Sequence, residues 1–316
     1  MDNNRPKVSV IVPNYNYAKY LELRMESILS QTYRNYEIII LDDKSTDESV
    51  DLIRKYQSNA KVSKVIINKE NSGSPFIQWK KGICEASGEI VWIAESDDVC
   101  LPSFLEKLVE KYVETNSVLV FCKSLLINEN GDRLKDNHQM NSVSCDLTMD
   151  GRQFVSNYLG LNNEIQNASC AIFSRKMALE IDDSYMSYKG AGDWLFWIKM
   201  ALKGNVSYVN EELNKYRLHN NTTSSVVRSG VEFHEMKSIY SWLLTHGLLS
   251  SEQFKECRKS NLLLILSLNE IPSIVRRELL RMWDASPLYV LYLFIILNYF
   301  KFKSLIAVCL IKKIRS

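Results

Sequence analysis

Glu95-Ser96-Asp97-Asp98 follows directly on the apolar run Ile90-Val91-Trp92-Ile93, so two adjacent carboxylates stand where a buried β-strand should end. Strand ends of this kind deliver groups to ligands in open α/β sheets, and an acid pair there is an oxygen-ligand site for a hard divalent cation. Ahead of Leu101-Pro102 the same residues would also suit the cap of a helix. Two further strand ends carry comparable chemistry. Asp42-Asp43 follows an apolar run ending at Leu41, and the polar, aromatic loop Asn14-Tyr15-Asn16-Tyr17 follows a β-branched run over residues 8–12 that Pro13 should stop.

The elements that must position these groups are legible as alternating periodicities. Continuous apolar runs predict strands at residues 8–12, 37–41, 62–67 and 90–93. Between them, 3.6-residue spacing predicts helices at 20–30, through Val50, Leu52, Ile53 and Tyr56, and at 76–86. Helix 104–115, strand 118–121, a polar excursion over 128–150 with His138 at the surface, a strand-like segment 168–174 and helices 175–181 and 194–202 follow. Strand–helix alternation favours a mostly parallel sheet, whose right-handed crossovers bring all strand ends to one edge. Pro13-Asn14-Tyr15, Asp42-Asp43 and Asp97-Asp98 then converge as a nucleotide-and-metal cleft. No G-x-G-x-x-G follows the first strand and no G-x-x-x-x-G-K-[ST] occurs, so the metal must hold the phosphates.

Six segments in this order resemble the family 2 glycosyltransferases of GT-A fold. They are Val12-Pro13-Asn14-Tyr15-Asn16 with Ser27-Ile28-Leu29-Ser30-Gln31-Thr32-Tyr33, then Leu41-Asp42-Asp43-Lys44-Ser45-Thr46-Asp47, Glu95-Ser96-Asp97-Asp98, Gly192-Asp193-Trp194-Leu195-Phe196-Trp197, and Tyr216-Arg217-Leu218-His219-Asn220. The resemblance covers roughly residues 7–225. It implies a Rossmann-like, mostly parallel sheet flanked by helices, and an inverting transfer from a nucleotide sugar.

Carried over position by position, the resemblance has Pro13 and Tyr15 at the donor, with Tyr15 stacking on the base, a uracil or thymine. Asp43 would accept from the base N–H, Asp97 would hold the ribose and Asp98 would coordinate Mg2+ or Mn2+. Inversion needs a base for the acceptor hydroxyl, and Asp193 fits that role, with N-cap of the following helix as its structural alternative. Arg217 and His219 would stabilise the departing diphosphate. Glu95 and Trp194 are candidates for contact with a saccharide acceptor, Trp194 being otherwise a core residue.

Composition bounds the rest. Of 316 residues 46% are hydrophobic, and 39 basic against 37 acidic residues give a net charge of +2, which offers no bulk attraction for nucleic acid. Seven cysteines without C-x-x-C spacing suit reduced, buried thiols, and the N-terminus enters a strand without a signal peptide's apolar region, so a cytoplasmic location is expected. The pattern divides into a transferase domain over 1–228 and a helical region over 229–316. Its last part is an apolar run of ten at 288–297, split by Lys301 and Lys303 from 305–311 and closed by Lys312-Lys313-Ile314-Arg315. Spanning a bilayer with both lysines near its middle would cost roughly 5 to 7 kcal/mol, so an interfacial hairpin at the inner membrane surface, near a lipid-linked acceptor, is expected. The rivals are a sugar nucleotidyltransferase, which would need a Gly-rich loop after strand one, and an inactive sugar-binding or assembly subunit, against which the acids at 98 and 193 speak.

Overall fold

The computed structural model describes residues 5–134, 139–140, 142–219 and 229–298, so His138, Asn220 and the stretch 299–316 lie outside the described residues. The chain divides into two compact units, Met1–His219 and Asn220–Ser316.

In the first unit, β1 (Val8–Asn14), β2 (Tyr36–Asp42), β3 (Val62–Ile67) and β4 (Ile90–Ile93) alternate with α1 (Ala18–Leu29), α2 (Ser49–Tyr56) and α3 (Pro75–Glu85). These strands are parallel, in the order β3-β2-β1-β4. β1, β2 and β4 are buried throughout, as continuous apolar runs covered on both faces must be, whereas the edge strand β3 is half exposed. Chain order reverses at β1, which has β2 on one side and β4 on the other. The crevice beyond the carboxyl ends of β1 and β4 is therefore the ligand position of an open α/β sheet.

Pro13 does not stop β1 but lies within it, opposite Leu41. The side on which its missing N–H would matter is already open, because β4 ends opposite Ile11. There the Pro13 carbonyl accepts the Ser96 hydroxyl at 2.7 Å, so the proline joins β1 to the acidic loop.

Beyond β4 the sheet is mixed. β8 (Ala171–Ser174) pairs antiparallel with both β4 and β6 (Ser117–Ile127), and β6 pairs parallel with β9 (Asn205–Arg217). β5 (Val99–Cys100) and β7 (Leu147–Asp150) each pair antiparallel with β9, completing nine strands. β9 escapes a periodicity search because its register against β6 shifts around Cys122 and Lys123, which breaks the alternation of buried and exposed positions. The helix α4 (Phe104–Thr115) packs on β6, β8 and β9 and ends at Asn116 in the left-handed region, φ 47°. Short helices α5 (Gly151–Phe154) and α6 (Arg175–Leu179) precede α7 (Gly192–Ala201), which is buried on almost every side and packs on β6.

The second unit contains helices Val231–Thr245, Ser251–Ser267, Ser273–Met282 and Pro287–Asn298. Ser250 and Gln253 form a reciprocal capping box at the start of the second. Among the described residues no single helix is long and apolar enough to cross a membrane. Ser273–Met282 and Pro287–Asn298 meet that measure only together, and they are bent by 115°. Helix Pro287–Asn298 exposes Leu288, Leu291, Tyr292, Phe294 and Ile295.

Candidate active site

The acidic loop is caught as soon as it leaves β4. Val99 and Cys100 of β5 pair with Lys215 and Asn214, which lays the end of β9 along residues 95–98. The Arg217 backbone N–H donates to Asp98 Oδ1 at 2.9 Å, and its Nε donates to the Asp97 carbonyl at 2.7 Å. Arg217 Nη1 reaches the carbonyls of Asn128 and Glu129, and the guanidinium lies 4.5 Å from the Tyr20 ring centre. Two residues on, His219 Nε2 stands 2.8 Å from Asp97 Oδ2, its ring between Tyr17 and Tyr20 at 5.6 and 5.4 Å.

Asp98 is buried, 1% exposed, and its second oxygen accepts Asn167 Nδ2 at 2.7 Å. Asn167 Oδ1 in turn accepts Asn214 Nδ2 at 2.9 Å, so β9 orients the asparagine that orients the acid. Burial, then the neighbouring Asp97 charge, push Asp98 above the usual carboxylate range. Glu95 Oε1 accepts the Trp79 indole N–H at 2.8 Å, and burial followed by Asp97 pushes Glu95 up to about 8.

Trp79 also lies 5.8 Å from the Phe196 and Trp197 rings of α7, the helix that carries Asp193. The Tyr216 phenol is pushed well above its ordinary range by burial and then by the charges of Asp98, Asp193, Asp97 and Glu95, so all four acids act on one hydroxyl. Asp193 is not the N-cap of α7, a position held by Ala191, but lies in the first turn. One oxygen accepts the Trp194 backbone N–H at 2.7 Å and the other accepts Asn163 Nδ2 at 3.1 Å, while the helix N-terminus favours its negative charge. The glycine before it is a steric requirement, since a Cβ at Gly192 would lie 2.6 Å from the Tyr185 carbonyl oxygen and clash with the Phe76 ring.

At the β2 end, Asp42 is a buried framework residue that accepts Asn14 Nδ2 and the Ser45 N–H and hydroxyl. Asp43 accepts Asn68 Nδ2 (2.7 Å), the Ser72 N–H (2.9 Å) and hydroxyl (2.7 Å), and Gln78 Nε2 (2.9 Å). These donors match the roughly four lone-pair sites of a carboxylate, so Asp43 anchors the loop 68–74 and a base N–H would have to displace one of them. Asn16 (φ 58°) and Lys44 (φ 63°) hold the left-handed backbone that sends both loops toward the crevice. Tyr15 stands 47% exposed with its ring available.

Two expectations change. Trp194 is 2% exposed and donates its indole N–H to the Leu159 carbonyl, so it packs in the core and offers no face to an acceptor. Arg217 is 4% exposed and spends its guanidinium on three backbone carbonyls, which makes it a clamp on the acidic loop and not a phosphate ligand. Asn167, Trp79, Gln78 and Arg24 were not foreseen. The first three carry no spacing signature, being polar or aromatic residues beside elements read as framework. Arg24 had one: it falls between Leu21, Met25 and Ile28 on the apolar face of α1.

The acids and imidazole suit a hard cation in donor type. Among the described residues, however, no three His, Cys, Asp or Glu side chains form a group that would hold an ion by themselves. An ion at Asp98, with His219 beside the neighbouring Asp97, would take most of its coordination from ligand oxygens and water, the usual arrangement for Mg2+.

Comparison with known proteins identifies the family and the fold. The model of the family described as Glycosyl transferase family 2 matches residues 9–181. A putative teichuronic acid biosynthesis glycosyltransferase, TuaG, of Bacillus subtilis is 31% identical over 71% of this chain and 84% of its own length. An uncharacterized glycosyltransferase of Haemophilus influenzae is 31% identical over 71% of this chain and 69% of its own. In fold, the chain is similar to S. aureus TarS, residues 1–349 in complex with UDP-GlcNAc, with TM-score 0.56, 20% identity and coverage of 88% of this chain and 71% of that one. It is also similar to the mannosyltransferase PcManGT of Pyrobaculum calidifontis in complex with GDP-Man and Mn2+, with TM-score 0.54, 19% identity and coverage of 75% and 65%.

Proposed function

Since the chain belongs to glycosyl transferase family 2, we propose that it transfers, with inversion, a sugar from a UDP- or dTDP-linked donor to a lipid-linked saccharide at the inner face of the cytoplasmic membrane, in surface polysaccharide assembly. The observation that carries this proposal is the packing of Trp79, which donates to Glu95 Oε1 at 2.8 Å and lies 5.8 Å from the Phe196 and Trp197 rings of α7, the helix whose first turn holds Asp193. It supports reading Asp193 as the base candidate for the donor crevice. The relative named for teichuronic acid biosynthesis supports the polysaccharide context, and the apolar face of helix Pro287–Asn298 supports a membrane contact.

Tyr15 would stack on the base, and the loop 68–74 that Asp43 anchors would line its edge. Asp97 would meet the ribose. Asp193 would take the proton of the acceptor hydroxyl as its oxygen attacks the anomeric carbon opposite the diphosphate, the bond to the diphosphate oxygen breaking and its electron pair leaving with the phosphate. Glu95 would hydrogen-bond the sugar at the reacting end. A divalent ion, Mg2+ or Mn2+, held at Asp98 with His219 nearby, would supply the positive charge that neutralises the leaving diphosphate.

The test is a panel of labelled sugar nucleotides, with and without chelator, followed for transfer or hydrolysis. Turnover of UDP or dTDP sugars that stops in chelator is expected, together with a larger thermal stabilisation by UDP than by GDP. Turnover unaffected by chelator would remove the metal, a larger shift with GDP would remove the pyrimidine, and formation of a sugar nucleotide from a sugar phosphate would replace the whole proposal with nucleotidyl transfer.

A further inference from the structure

Helix Ser251–Ser267 carries Ser251, Phe254, Lys255 and Arg258 at positions i, i+3, i+4 and i+7, so the four share one face. That face, with Lys237 and Leu244 of helix Val231–Thr245, lines a cavity of about 380 Å³ that Trp283 and Asp284 close. Pockets for small ligands run from roughly 300 to 1,000 Å³. All of these residues belong to the second unit.

Three cations meet one carboxylate in this lining. Lys237 Nζ donates to the Met282 carbonyl and stands 3.5 Å from Asp284 Oδ2. Arg258 Nε and Nη2 donate to the carbonyls of Trp283 and Asp284 at 2.7 and 2.5 Å. These bonds fix both head groups at the cavity and leave N–H groups over, since an ammonium has three donors and a guanidinium five. Lys255 pairs at 3.4 Å with Glu252, an exposed partner that holds it weakly. Ser251 is the first residue of its helix, whose N-terminus adds partial positive charge. Trp283 is buried and its indole N–H has no hydrogen-bond partner, an uncommon state for an interior donor. With Leu244, Phe254 and Trp283 as apolar walls, the cavity suits an anion attached to an apolar body.

The Arg258 guanidinium also lies 5.4 Å from the ring centre of Tyr289, on helix Pro287–Asn298. On that helix the exposed Leu288, Leu291, Tyr292 and Ile295 again fall at i, i+3, i+4 and i+7, which makes one apolar face. One cation therefore joins the cavity to the helix that exposes this face. A phospholipid surface has the same division, anionic phosphate over an acyl layer. Resting on the membrane contact proposed above, we infer that the cavity is a headgroup site: Lys237, Lys255 and Arg258 bind the phosphate of an anionic membrane lipid while the apolar face of helix Pro287–Asn298 enters the interface. The site gives that contact a charge requirement which an apolar face alone lacks.

Co-sedimentation of the full chain with vesicles of phosphatidylcholine, alone or mixed about three to one with phosphatidylglycerol, tests this in the wild type, Arg258→Gln, Lys255→Gln, Ser251→Asp and Lys259→Gln. The wild type should bind the mixed vesicles at least about tenfold more tightly than phosphatidylcholine alone, the scale of a hydrogen bond to a charged group. Arg258→Gln, Lys255→Gln and Ser251→Asp should each lose most of that preference. If Arg258→Gln does not fold, Ser251→Asp decides, because the first turn of a helix favours a carboxylate that would repel an anion from the cavity. Lys259→Gln removes the same charge from the same helix outside the cavity lining and should keep the preference. A preference that survives Lys255→Gln and Ser251→Asp, or that falls equally in Lys259→Gln, overturns the inference. Thermal stabilisation by inorganic phosphate with no preference for the mixed vesicles makes the ligand a free anion and overturns the lipid assignment. Equal binding to both kinds of vesicle in every variant overturns the headgroup site while the apolar contact stands; no binding to either removes both.

Discussion

His219 Nε2 lies 2.8 Å from Asp97 Oδ2, joining the end of the first unit to a loop 122 residues earlier. β9 makes this possible: its pairing with β5 carries Arg217 onto the loop backbone and leaves His219 two residues further, at the carboxylate.

If that imidazole serves the ion, His219→Ala should weaken UDP binding roughly 10- to 100-fold in the presence of Mn2+, on the scale of lost metal-site partners, and little in its absence. Calorimetric titration with and without Mn2+ reads the difference. An equal loss in both conditions would make His219 a structural partner of Asp97 alone.

Asp193→Asn keeps the side-chain size and most of the hydrogen bonding while removing the basic charge. Turnover should fall roughly 10² to 10⁴-fold with donor affinity nearly unchanged, the range for loss of a general base. A purely structural role in the first turn of α7 would predict almost no change, because Asn offers nearly the same local hydrogen bonding. Near-normal turnover would send the search for a base to Glu95.

Asn167→Ala removes a donor from the buried carboxylate of Asp98 and a partner from Asn214. A lost hydrogen bond to a charged group costs about 1.5 to 3 kcal/mol, which denaturant unfolding should register. The ion-dependent affinity for UDP should fall as well, since Asp98 loses its orientation. Unchanged stability would mean that Asp98 takes up its proton when the donor is lost.

Glu37 gives a pH prediction away from the crevice. Burial opposes its charge, but hydrogen bonds from the Ser9 and Ser87 hydroxyls, the Ser87 N–H and Lys7 outweigh it and bring the carboxyl from 4.5 down to about 2. A depressed folded value means stability that is complete above about pH 4.5 and lost as pH falls toward 2. Glu37→Gln should be less stable at pH 7 and show a flatter decline across that window; parallel profiles for both proteins would contradict it.

The sequence by itself determined the parallel half of the sheet, because buried β-branched runs separated by amphipathic helices admit few other arrangements. It also placed Asn14-Tyr15, Asp42-Asp43 and Asp97-Asp98 at strand ends, since a strand end is a local property. What only the tertiary structure decided is who answers these residues. β9 pairs parallel to β6 and antiparallel to β5 through a shifted register, so no alternation announces it, yet it brings Arg217 and His219 to the acidic loop. Asp43 looked like a free reader of a base until Asn68, Ser72 and Gln78 closed on it, and Trp194 looked like a platform until α7 turned it to the Leu159 carbonyl. A side chain's type fixes what it can bond, but its availability depends on partners that arrive from distant segments, and for Arg24 the fold supplied one serine where the charge alone would have predicted an acid.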